Sequence, residues 1–116
     1  MRSRTSRGVW CAALLAVGIA APAVAQDAAQ ARSLAATCFT CHGTDGRSVG
    51  GVPASLAGMD RNYLLQQMKD YKTGKRPATV MHQQAKGYTD AQLELIAGYF
   101  AGAKPGAASA APGKGN

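Results

Sequence analysis

A chain of 116 residues has room for one domain, and its three cysteines are too few to build a disulfide framework. The formal charge of +7 falls to +4 once Arg2, Arg4 and Arg7 are set aside as part of a leader, which leaves a mildly basic chain suited to an acidic protein partner or to plain solubility. Export argues against a nucleic-acid partner, and the apolar run near the start is too short to cross a bilayer.

Residues 1–25 read as a secretory signal. Arg2, Arg4 and Arg7 form its basic front, Val9 to Ala21 its apolar run, and Ala23-Val24-Ala25 its small-residue cleavage site, so the expected compartment is the periplasm. Cys11 leaves with that segment, and two cysteines remain. Asp27 can cap a first helix, with Gln30 in capping-box position. Ala31, Leu34, Ala35 and Cys38 then recur at i, i+3, i+4 and i+7, a narrow stripe that lets another helix approach closely. This helix ends on Cys38-Phe39-Thr40-Cys41-His42.

Two cysteines three apart, followed at once by a histidine, form the attachment signature of a c-type haem. The two thiols add across the haem vinyl groups, and the histidine binds the iron from the proximal side. Residues at i, i+3 and i+4 share one face of a helical turn, so Cys38, Cys41 and His42 can all reach one flat macrocycle. Three other readings compete, one of them a chance match in a small exported chain, which the surrounding context argues against. A redox-active dithiol belongs beside a strand–helix–strand pattern that is not visible here, and a zinc site would need ligands beyond the remaining His82.

Gly43 to Pro53 is rich in turn-formers and reads as a loop, after which Leu56-Ala57-Gly58-Met59 is expected to contribute to the haem wall. Asp60 is a good cap for a second helix running through Thr73 and stopping at Gly74, with Leu64, Met68 and Tyr71 on its apolar face and Leu65 widening it. Lys69, Lys72, Lys75 and Arg76 form a basic cluster at its end; the plain reading is a solvated helix terminus, the sharper one docking or pairing with haem propionates. Pro77 to Gln84 reads as largely irregular. Thr89 opens the last helix, with Gln92 in capping-box position, Leu93, Ile96, Ala97 and Phe100 on one face, and Gly98 permitting a close crossing with the first helix. No strand signal appears, so the class is all-α. The domain is expected over 26–102, and the Ala/Gly/Pro/Lys stretch 103–116 reads as a disordered tail.

The iron's sixth position separates electron carriers from binders and catalysts. Met59, Met68, Met81 and His82 are the candidates. Met68 reads as core, and the proline-led stretch before Met81 suits that residue best to bring a thioether to the other haem face, with the rest left open.

The succession of helix, Cys38-Phe39-Thr40-Cys41-His42-Gly43, Leu56-Ala57-Gly58, capped helix, Thr79-Val80-Met81 and Gly98-Tyr99-Phe100 resembles class I cytochromes c. Ala57-Gly58-Met59, Asp70-Tyr71 and Ala85-Lys86-Gly87-Tyr88-Thr89-Asp90 make it most similar to the cytochrome subunit of flavocytochrome c sulfide dehydrogenase. The resemblance implies one covalent haem c held by Cys38 and Cys41, His42 as proximal and Met81 as distal ligand, and an FAD-containing flavoprotein partner that oxidises sulfide. It implies no substrate chemistry in the cytochrome itself. In that family a proline carbonyl usually faces the proximal histidine; here Pro53 is one position early and Ala54 stands in its place. Other expectations stay open: a free carrier serving a terminal oxidase, or a haem with an open sixth site acting on peroxide or a sulfur compound.

Overall fold

The computed structural model describes residues 23–106, and among them every regular element is helical, as expected for an all-α domain. Helix α1 (Ala23–Ala35) passes through a 3₁₀ turn (Ala36–Cys38) into the short α2 (Phe39–His42), so one nearly continuous helical path delivers the cysteine–histidine motif. Asp27 is not the cap that its position suggested: it lies exposed inside α1. Ala23, Val24, Ala25 and Gln26 accept helical conformation, and a capping side chain acts only where a helix begins. Most of the expected signal segment, 1–22, and most of the expected tail, 107–116, lie outside the described residues.

Helix α3 (Arg61–Thr73) starts where the Asp60 carboxylate accepts the Tyr63 N–H at 2.8 Å and ends at Gly74. Helix α5 (Asp90–Gly102) opens with the full capping box: Gln92 N–H donates to Thr89 Oγ1 at 3.2 Å, and Thr89 N–H donates to Gln92 Oε1 at 2.9 Å. Both starts follow the sequence reading. The stretch after Pro77 departs from it, because Met81–Lys86 forms a short helix, α4. Proline restrains chiefly its own φ and the residue before it, and Met81-His82-Gln83-Gln84-Ala85-Lys86 contains no helix breaker.

Leu93, Ile96, Ala97 and Phe100 bury the inner face of α5 against Ala35 of α1 and Leu64 of α3. Leu93 and Phe100 are the largest fully enclosed side chains, and each contributes about 1.5–3 kcal/mol of apolar burial. The α1–α5 approach rests on the small Ala31 and Ala35. Gly98 has a different neighbour: a Cβ there would meet only Arg61 Nε, at 3.6 Å. Phe39, Tyr99 and Phe100 form an aromatic cluster, with centroids 5.3 Å apart for Tyr99–Phe100 and 6.0 Å for Phe39–Tyr99.

The loop after α2 is closed on itself and on α5. The Gly46 carbonyl accepts from Leu56 N at 2.8 Å and Ala57 N at 3.1 Å, and Gly58 N–H donates to Phe100 O at 2.8 Å. Its tip is solvent-exposed, with Val49 94% and Val52 85% accessible. The plain reading of that tip as a surface loop therefore holds, while its return limb carries Ala54 and Leu56 to the functional cavity.

Candidate functional site

A cavity of about 220 Å³ lies among the helices, with a mainly apolar lining. Cys38, Cys41 and His42 reach it from the end of the α1–α2 path, Leu64, Ile96 and Phe100 from the core, and Leu56 from the return limb. Met59, Met68 and Met81 also border it, as do Tyr71 and Arg76. Thus the three motif residues and Met81, 39 or more positions further on, share one lining. Of the expected wall segment, Leu56 and Met59 take part; Ala57 is buried away from the cavity and Gly58 bonds to α5.

His42 Nδ1 lies 2.7 Å from the Ala54 carbonyl oxygen. A carbonyl can only accept, so Nδ1 carries the proton and Nε2 keeps its lone pair for a metal. The shifted proline therefore leaves the histidine with an acceptor, supplied by the residue standing in its place. His82 makes the same kind of bond but lies outside this lining. Its Nδ1 donates to Tyr71 O at 2.7 Å, capping the end of α3. Met59 and Met68 pack against the hydrophobic core as well as bordering the cavity, whereas Met81, half-buried at the first turn of α4, is not part of that packing.

The rival chemistries find less support. Burial, the largest influence, and the neighbouring Cys41 push the Cys38 thiol above its ordinary 9.0, despite an opposing contribution from Thr37. A redox dithiol requires the reverse, a thiolate stabilised near neutrality. No group of three or more His, Cys, Asp or Glu side chains suited to a bare metal ion occurs among the described residues, so a zinc site lacks its ligand set there. The lining instead combines apolar walls, one imidazole nitrogen with its tautomer set, soft thioethers and two thiols, a donor set that fits haem.

The basic cluster is largely engaged. Lys72 Nζ donates to Tyr88 O and to the Asp90 carboxylate, both at 2.8 Å, and Lys75 faces Asp70 at 3.6 Å. Arg76 stacks 4.8 Å over the Tyr71 ring and bonds Gln67 Oε1, and all three border the cavity. Two ties have no local sequence signal, because their partners are distant in the chain. Tyr99 donates to the Asp45 carboxylate, which also pairs with Arg47 at 3.2 Å. Thr37 Oγ1 and Tyr88 OH meet at 2.6 Å across 51 positions.

Helices enclosing an apolar cavity, entered by a Cys-x-x-Cys-His turn and three methionines, define a c-type haem protein of the electron-transfer kind. The cytochrome c family model matches residues 27–104, and the chain belongs to that family, with the class I fold and haem c as its cofactor. It is 45% identical over 67 residues to the cytochrome subunit of sulfide dehydrogenase of Chlorobaculum tepidum, a match covering 58% of this chain and 60% of that one. It is 41% identical over 100 residues to cytochrome c4 of Pseudomonas aeruginosa, covering 85% of this chain and 50% of that one. Among solved structures, cytochrome c4 of Acidithiobacillus ferrooxidans superposes with a TM-score of 0.56 at 32% identity, over 74% of this chain and 52% of that one. The chain thus spans between half and three fifths of the length of these relatives. No helix among the described residues is long and apolar enough to cross a membrane.

Proposed function

We propose that Cys38 and Cys41 hold one haem c through thioethers, with His42 and Met81 as the two axial ligands, and that the chain accepts electrons one at a time from the FAD-containing subunit of a sulfide dehydrogenase. When bound, the haem supplies a one-electron iron couple. The residues of this chain orient and shield it. Ala54 holds the His42 tautomer, the apolar walls exclude water, and the Met81 thioether favours the reduced iron relative to a second histidine. Arg76, bordering the cavity, is suited to pair with a propionate.

The observation that carries this reading is the single lining shared by Cys38, Cys41, His42 and Met81. Among the alternatives for the sixth position, His82 does not border the cavity, and Met59 and Met68 border it but also pack against the hydrophobic core. The flavoprotein partner rests on the likeness to the sulfide dehydrogenase cytochrome subunit, and the periplasm on the leader-like residues 1–25. The test is purification of the haem-loaded chain from the periplasm. A stable subunit buries an interface commonly above about 1,000 Å², so it co-purifies with an FAD-containing chain in high salt, and sulfide reduces its haem only through that chain. A lone monomer whose haem sulfide cannot reduce in the presence of the flavoprotein overturns the partner and leaves a free carrier.

A further inference from the structure

We infer that Tyr88 is a positioning residue that holds the Met81 segment against the haem-attachment segment, through its hydroxyl bond to Thr37. The inference rests on Met81 being the distal ligand. Met81 and Tyr88 are the two ends of one hydrogen-bonded unit. At its start, Gln83 N and Gln84 N both bond Val80 O at 3.0 Å; at its finish, Gly87 N bonds Gln84 O at 3.1 Å and Tyr88 N bonds Ala85 O at 3.3 Å. This unit is tied to α3 at both ends, by His82 Nδ1 to Tyr71 O and by Lys72 Nζ to Tyr88 O. Those two ties fix it to the helix beside it and say nothing about its distance from His42.

The Tyr88–Thr37 bond has that separate role. Among the described residues it is the one side-chain hydrogen bond from this unit to the segment carrying Cys38, Cys41 and His42, and Thr37 directly precedes Cys38. Its direction follows from proton count. The Thr37 hydroxyl has one proton and donates it to Leu34 O at 3.1 Å, so the Tyr88 hydroxyl is the donor to Thr37 Oγ1. Both side chains border the cavity. The bond therefore bridges the two segments that must stay at a fixed separation for a thioether and an imidazole to hold one iron between them. Without it, the Met81 unit keeps its ties to α3 but loses its tie to the attachment segment, and the fraction of molecules with Met81 withdrawn rises.

The experiment measures imidazole binding to the oxidised, haem-loaded full chain. An added ligand binds only when the sixth position is free, so its apparent affinity scales with the withdrawn fraction. Tyr88→Phe is expected to tighten imidazole binding about three- to tenfold, the range set by one solvent-accessible hydrogen bond. Thr37→Val should tighten it too, Thr37→Ser should restore the wild-type value, and Tyr88→Phe should add nothing in the Thr37→Val background. Wild-type imidazole affinity in Tyr88→Phe, with or without a lowered global unfolding midpoint by far-ultraviolet circular dichroism, overturns the inference, as do additive effects of the two substitutions. Absence of the near-infrared sulfur-to-iron band in the unmodified protein is a different failure: it removes Met81 as ligand, and the positioning role with it.

Discussion

Gly43 follows His42 directly, and its backbone sits at φ +81° and ψ 161°, a region that essentially only glycine occupies. A Cβ at this position would lie 2.1 Å from the Arg47 carbonyl oxygen, 2.6 Å from its carbon and 3.0 Å from Ser48 N. All three are backbone atoms, in a turn held by Gly46 N–H on Gly43 O at 2.9 Å and Arg47 N–H on Thr44 O at 3.1 Å, so relief requires the turn itself to move. The conformational strain costs about 1–3 kcal/mol, and displacing the turn brings the expected loss for Gly43→Ala to about 3–5 kcal/mol. A domain of this size holds about 4–12 kcal/mol in total, so the variant should be only marginally folded. Gly50 supplies the control, because it has the same φ of +81° but open space around it. Gly50→Ala should cost about 1 kcal/mol. Guanidinium unfolding of the haem-loaded proteins, followed by far-ultraviolet circular dichroism and extrapolated to water, gives both values. Equal losses at the two positions would refute the steric reasoning.

Met81→Ala should abolish the near-infrared sulfur-to-iron band of the oxidised protein, and Met81→His should lower the reduction potential; a band that persists in Met81→Ala transfers the role to Met59 or Met68. Leu93 is fully buried, so Leu93→Ala should destabilise by about 2–5 kcal/mol in the same unfolding assay, and a loss under about 1 kcal/mol would contradict its place in the core. The Asp45 carboxyl is held below its ordinary 3.8, chiefly by the Tyr99 hydroxyl and further by the Arg47 charge. A depressed folded-state value stabilises above 3.8 and loses that contribution as the pH falls through the lower folded value. The stability gap between wild type and Asp45→Asn should therefore narrow on acidification, and a gap unchanged from pH 7 into that range would show that the Asp45 charge is not its source. On the alkaline side, burial of the Tyr99 ring and its bond to Asp45 raise the phenol above 10.0, so the same tie contributes below that value and is lost as the phenol ionises.

Local chemistry made much of this molecule legible in advance. The Asp60 and Thr89 caps, the buried face of α5 and the convergence of Cys38, Cys41 and His42 on one cavity each depend on residues within a few positions of one another, where spacing alone determines which side chains meet. Asp27 misled because capping preference is visible in sequence, whereas the continuation of a helix through a run of small residues competes with it silently. The helix at Met81 was hidden by Pro77, whose influence fades before Met81 is reached. The site divides in the same way. Cys38, Cys41 and His42 announce themselves, but the Ala54 carbonyl, the Asp45–Tyr99 bond and the Thr37–Tyr88 bond come from backbone placement and long-range pairing. A hydroxyl such as that of Tyr88 carries no periodicity or motif that reveals a partner 51 positions away.

The central claim is that one haem c is bound covalently through Cys38 and Cys41. Mass analysis of the purified chain under denaturing conditions tests it most directly, because only a covalent bond survives unfolding. The expected result, after expression with a haem-attachment system, is the polypeptide mass plus one haem in the wild type and no stable two-thioether adduct in Cys38→Ser or Cys41→Ser. A purified wild-type chain at its bare polypeptide mass would contradict the account.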